Sequence, residues 1–265
     1  MITVRRVGEV TQLKMARTVL GWPLYAVCAY FVDGLLLDTG PPAVQRELRG
    51  VLADLPVHVA VNTHAHEDHV GNNALLAERG VTPFAHPLAI PLIAAPPHLQ
   101  LYRQIVWGVP VPAAARPVPE DLATPRYRFR VLHTPGHSPD HICLFEGRHG
   151  WLFSGDLFLS PYVKVLRADE TPHRIIASLR MVLALPITTV FDGGGKVVED
   201  GRGALQRKLD FWERLRDEAR ALHARGRTPG EIRRLLLGRE GLFRAVTLGH
   251  FSKQNLIDAL LRPEG

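Results

Sequence analysis

The chain has 265 residues, 46% of them hydrophobic, which is enough for one large domain with an appendage and excludes a disordered polypeptide. Its formal net charge of +6 and pI near 9.7 come mostly from arginines dispersed along the chain, a pattern closer to an arginine-rich composition than to a nucleic-acid footprint. No run reaches the ~20 apolar residues that cross a bilayer, and the N-terminal stretch lacks the apolar segment of a signal peptide, so the expected location is the cytoplasm.

Taken in chain order, residues 27–32 and 35–37 are predicted strands split by Asp33-Gly34, a strong hairpin signal. The second strand ends in Asp38-Thr39-Gly40, and Pro41 and Pro42 then lead into a helical pattern on Val44, Leu48, Val51 and Leu52. Residues 57–61 are apolar and largely β-branched, as a doubly buried strand requires, and run directly into Asn62-Thr63-His64. A histidine cluster therefore sits beyond a strand's carboxyl end, where α/β architectures place ligands. Residues 96–119 are rich in proline and alanine with an apolar stripe of Leu101, Ile105 and Trp107, and are expected to form a lid or substrate wall.

Strands are predicted again at 127–132, 141–145, 151–153 and 188–191, with a helix opening at Thr171-Pro172. From about residue 203 the pattern is wholly helical, with Leu205, Leu209, Trp212, Leu215, Ala219 and Leu222 on one face. Thr228-Pro229-Gly230-Glu231 has capping-box spacing, and a last helix is predicted near Ser252. The expected division is 1–202 for the main domain and 203–265 for a helical extension. Cys28 and Cys143 both fall in apolar, strand-like stretches and are expected to be buried free thiols.

The chemistry is concentrated in Thr63-His64-Ala65-His66-Glu67-Asp68-His69, three imidazoles and two carboxylates within a few positions. Neutral imidazole nitrogen and carboxylate oxygen are the donors that borderline-soft divalent ions such as zinc select. On an extended loop, His64 and His66 turn to the same side, while Asp68 and His69 reach a neighbouring point. Thr134-Pro135-Gly136-His137 and Ser154-Gly155-Asp156 each follow a predicted strand and deliver one further ligand-type side chain from a glycine-relaxed turn.

The succession H-x-H-x-D-H, P-G-H and S-G-D resembles the metallo-β-lactamase superfamily over about residues 20–200. The resemblance implies an αββα sandwich (α/β class) with a C-terminal helical extension, and a site at one edge of the two sheets. It implies that His64, His66 and His137 hold one metal, that Asp68 and His69 hold a second, and that Asp156 bridges them, with Asp38-Thr39-Gly40 beneath the metal loop. One or two zinc ions are the expected cofactor, with iron and manganese as alternatives, and Asp68 is the expected proton carrier. The family usually supplies a last histidine in a Gly-His-Gly turn, where Gly194 stands here. His250 is a substitute to test, although a capping or polar role fits it better; His141, His133 and His86 are expected to make supporting hydrogen bonds.

The function so implied is hydrolysis of a small-molecule ester, thioester or lactone by a metal-bound hydroxide. One rival is a mononuclear iron oxygenase resembling persulfide dioxygenases, built on His64, His137 and Asp156. Others are a metal-binding or regulatory protein with a degraded site, and an RNA-processing protein. Oligomeric state is left open, and no membrane partner is expected.

Overall fold

A tight turn at Asp33-Gly34, both residues at positive φ (47° and 87°), folds the chain back on itself as predicted. It joins two of seven strands that lie in chain order in the first sheet: β1 (Ile2–Val7), β2 (Val10–Val19), β3 (Trp22–Val32), β4 (Leu35–Leu37), β5 (Val59–Val61), β6 (Phe84–Ala85) and β7 (Arg116–Pro117). Strands β1 to β4 are antiparallel and β4 to β7 parallel. No element was expected before Val27, so β1, β2 and the start of β3 are additions. β1 is exposed over most of its length, and a strand so wet carries little hydrophobic signal. The computed structural model describes residues 1–263.

The second sheet contains β8 (Asp121–Ala123), β9 (Arg128–His133), β10 (Ile142–Glu146), β11 (Trp151–Gly155), β13 (Thr189–Asp192) and β14 (Val197–Val198), with β11 and β13 parallel neighbours. Between the sheets lie Tyr30, Val32, Leu35, Leu37 and Val61 from one side and Phe129, Leu144, Phe153 and Phe191 from the other. Phe153 and Phe191 stack at 4.8 Å, and the buried Tyr30 hydroxyl donates to the Asp192 carbonyl at 2.7 Å, so the phenol enters the core with its polar end satisfied.

Helices cover both outer faces. On the first sheet, α1 (Gln45–Ala53) and α3 (Asn73–Ala77) lay Leu48, Leu52 and Leu76 against Leu13, Met15 and Leu36. On the second, α6 (Pro172–Leu183) and α7 (Gly201–Ala224) bring Leu179, Val182, Leu205 and Trp212 against Leu152 and Val190. This is the αββα sandwich. Helices α8 (Pro229–Leu237) and α10 (Lys253–Leu261) continue the same core through Ile232, Leu256 and Ile257. Thr228 and Glu231 form the reciprocal capping box at the start of α8, and Ser252 caps α10 by accepting from the Asn255 N–H at 2.9 Å. Cys28 and Cys143 are buried and free.

Two expectations are corrected. The C-terminal region is not wholly helical: after α9 (Leu242–Val246), β15 (Phe251–Ser252) pairs antiparallel with β12 (Leu166–Arg167). A two-residue ladder whose partner lies some eighty residues upstream leaves no periodic trace. Leu101, Ile105 and Trp107 also do not form one buried stripe. Leu101 and Ile105 are 70% and 50% exposed while Trp107 is buried, because α5 (Leu101–Val106) turns Tyr102, Arg103 and Val106 inward instead.

Strands β4, β5, β9, β11 and β13 all point their carboxyl ends at one edge of the sandwich, delivering Asp38, His64, His137, Asp156 and Gly193 there.

Candidate metal centre

The foundation is Asp38, a non-glycine residue at φ 61°. Such backbone is costly and persists where surroundings enforce it. Its Oδ1 accepts from the Thr63 N–H (2.7 Å), and its Oδ2 accepts from the Thr63 hydroxyl and from His69 Nδ1 (both 2.8 Å). One carboxylate thus fixes the start of the histidine loop and points His69 Nε2 into the centre. The short α2 (Glu67–Val70) carries Asp68 and His69 onward, and Asp140 Oδ2 holds the intervening Ala65 N–H at 2.7 Å.

Three rings converge beside it. His64 Nε2 and His66 Nδ1 are 2.6 Å apart, and His137 Nε2 is 3.0 Å from His66 Nδ1. Burial, reinforced by the neighbouring imidazoles, holds His64 well below the ordinary histidine range; burial and the Arg167 guanidinium do the same to His66. Both shifts favour the neutral ring, which can offer a nitrogen lone pair to a cation. His137 donates from Nδ1 to Glu170 Oε1 at 2.6 Å, which turns its Nε2 toward the same point.

His69 Nε2 is buried without a hydrogen-bond partner, with Asp156 Oδ1 at 3.5 Å and Asp68 Oδ2 at 3.7 Å. Burial opposes charging of His69, but the carboxylates of Asp38, Asp68 and Asp156 outweigh it and raise its proton affinity well above the ordinary value. A site that holds a proton this firmly among carboxylates is one where a cation can replace it. Asp156 spans the two groups, its Oδ2 lying 3.3 Å from His137 Nε2. The donors therefore fall into two sets, His64–His66–His137 and His64–His69–Asp156, each with its ligand atoms within 4.8 Å of one another. An orphaned imidazole nitrogen, neutral rings and shared carboxylate oxygen fit a divalent ion of the zinc type.

The outlying histidines separate clearly. His141 accepts the Asp156 N–H at Nε2 (3.1 Å) and donates to the Thr134 hydroxyl at 2.8 Å; burial drags its pKa to about 3, so the neutral ring positions Asp156 at every working pH. His133 and His86 stack on each other at 4.1 Å, and His133 Nε2 donates to the Pro139 carbonyl. His250 bonds to the Tyr102 hydroxyl at 2.7 Å and stays outside both donor sets. Among the described residues no further His, Cys, Asp or Glu joins the two donor sets in place of the histidine missing at Gly194. A Cβ there would meet only Asp192 Oδ1 at 3.5 Å and Leu159 Cδ2 at 3.6 Å, whereas one at Gly193 would strike Asp156 Oδ1 at 2.3 Å.

Several supporting residues carry no motif. Glu170 orients His137, Arg167 donates to the His137 carbonyl at 3.0 Å, and Arg103 ties α5 to the metal loop through a buried ion pair with Glu67. In front of the donors lies a cavity of about 400 Å³, walled by Tyr25, Trp107, Tyr162, Phe243, Lys208 and Trp212.

Comparison with known proteins agrees with this architecture. The model of the metallo-beta-lactamase superfamily matches residues 25–227, and the chain belongs to that superfamily. It is 29% identical over 187 residues to a beta-lactamase-like protein 2 homolog of Drosophila melanogaster, covering 65% of this chain and 58% of that one. It is 31% identical over 161 residues to a hydroxyacylglutathione hydrolase of Xylella fastidiosa, covering 58% of this chain and 52% of that one. A beta-lactamase domain protein from Burkholderia ambifaria superposes with a TM-score of 0.73 over 97% of this chain and 87% of its own, at 20% identity, a likeness of fold alone. The chain spans 66%, 58% and 53% of the length of three curated relatives it matches. Among the described residues no helix is long and apolar enough to cross a membrane.

Proposed function

We propose that the protein is a metal-dependent hydrolase of small acyl compounds: esters, thioesters or lactones. The observation that carries this reading is the pair of three-donor sets sharing His64, whose members His66, His137 and Asp156 line a cavity sized for a small molecule. His64, His66 and His137 would hold one divalent ion, and Asp68, His69 and Asp156 a second, with Asp156 reaching both. Zinc suits this donor chemistry best. When bound, such an ion acidifies a water and polarises the carbonyl under attack.

The chain's own groups supply the rest. Asp68 lines the cavity beside His69, where its carboxylate would take a proton and return it to the leaving group. Asp38, Glu170 and His141 hold His69, His137 and Asp156 in place. Buried Trp107 and Trp212 line the cavity where the acyl group would lie. The likeness to a hydroxyacylglutathione hydrolase supports the thioester among the three substrate types.

The test is metal analysis of the purified protein together with a panel of thioester, lactone, phosphodiester and persulfide substrates. Zinc with turnover of a thioester or lactone is the expected result. Iron with oxygen consumption on the persulfide would overturn the reading in favour of an oxygenase.

A further inference from the structure

The inward face of α7 carries Leu205, Lys208, Leu209 and Trp212, the i, i+3, i+4, i+7 positions that meet the second sheet. An apolar residue belongs at each, yet one is a lysine, 6% exposed. Among the described residues its ammonium has no hydrogen bond or ion pair; its one close partner is the Phe158 ring, 5.6 Å from Nζ to the centroid. The carboxylates of Glu170, Asp156 and Asp192 act on it only at a distance, and burial still drags its pKa down to about 8. A buried charge without a partner is destabilising. Lys208 and Trp212 both border the cavity in front of the metal donors, and one turn beyond the ammonium the Trp212 Nε1–H is also buried with no acceptor. Composition does not explain the choice: only five of the 32 basic residues are lysines.

We infer that Lys208 anchors an anionic group of the substrate, so that the cavity takes an acyl compound with a carboxylate at one end and its scissile carbonyl over the His64–Asp156 cluster. This rests on the hydrolase reading for its substrate class. Tyr25, Trp107 and Phe243 line the cavity against the apolar body of such a molecule, and its carboxylate completes Lys208. A compact ammonium suits the role, since a guanidinium is broader and resists losing its charge.

Two measurements on the metal-loaded protein test this. The first compares kcat/KM for a thioester whose acyl chain ends in a carboxylate with that for its methyl-ended analogue. Wild type prefers the carboxylate, and Lys208→Met cuts that preference about tenfold or more, the scale of a charge-assisted hydrogen bond. The second is calorimetric binding of 4-phenylbutyrate against its primary amide, which needs no turnover. A carboxylate preference that persists in Lys208→Met belongs to the metal positions and overturns the anchor. Loss of the preference when wild type cleaves neither thioester leaves the anchor standing and removes the hydrolase reading.

Thermal unfolding separates ligand binding from architecture. Removing an unpaired buried charge should raise the midpoint of Lys208→Met, whereas a fall of several degrees would make Lys208 a structural countercharge and overturn the proposal. Lys208→Gln, uncharged but polar, serves the same comparison should the methionine variant fail to fold.

Discussion

The two donor sets share His64 but differ in what stands behind them. In His64–His66–His137 the nitrogens already crowd to 2.6 and 3.0 Å, and Glu170 locks His137 from the rear. Around His69 Nε2 the carboxylate oxygens of Asp156 and Asp68 stand off at 3.5 and 3.7 Å, and the strand end that should add a ligand offers Gly194. One position is closed and preorganised, the other open. Preorganisation sets affinity while an open position admits water and substrate, so on the proposed reading the pair would divide binding from reactivity.

The harshest way to break this picture is to remove one ligand from each side. His66→Ala and Asp68→Ala should each lower kcat/KM by at least about 10³-fold, as loss of any member of a cooperating catalytic unit does. Near wild-type turnover in either variant would contradict the assignment. Glu170→Gln should weaken metal at the first position by about 10- to 100-fold, measured by competition with a chelator, and spare the second. An equal loss at both would erase the distinction.

Adding the absent ligand sharpens the contrast from the other direction. Since a Cβ at residue 194 meets only ordinary contacts, Gly194→His should raise affinity at the second position by about tenfold and bring the metal content closer to two per chain. Unchanged stoichiometry would mean that the β13 end does not face that position.

The smallest effect concerns Lys208. The folded pKa of Lys208, about 8, lies below its ordinary 10.5, so between these values the unfolded chain binds more protons. Stability contributed at this residue must therefore rise with pH across that window, the cost of its charge being fully present below pH 8. The gap in unfolding midpoint between Lys208→Met and wild type should narrow from pH 8 to 10.5.

The ligand-type residues were legible because they cluster in three short motifs, each directly after an apolar strand. The hairpin at Asp33-Gly34, α6 and the capping box at Thr228 were legible because turn and cap chemistry is local. What escaped was non-local. Glu170 reaches His137 across 33 positions, and Arg103 meets Glu67 across 36, without a shared pattern in either case. Lys208 was hidden inside an otherwise regular apolar stripe. Gly193 and Gly194 look equivalent as letters, yet the first lies against Asp156 and the second has room for a side chain.

The pairing of Phe251–Ser252 with Leu166–Arg167 makes the centre depend on a distant part of the chain. Arg167 grips the His137 carbonyl, and the Arg167 N–H bonds to Glu170, the residue that aims the ring. The histidine loop precedes the strand that clamps Arg167 by some 180 positions, so a chain cut before Phe251 would carry all six ligand-type side chains without the brace that sets one of them.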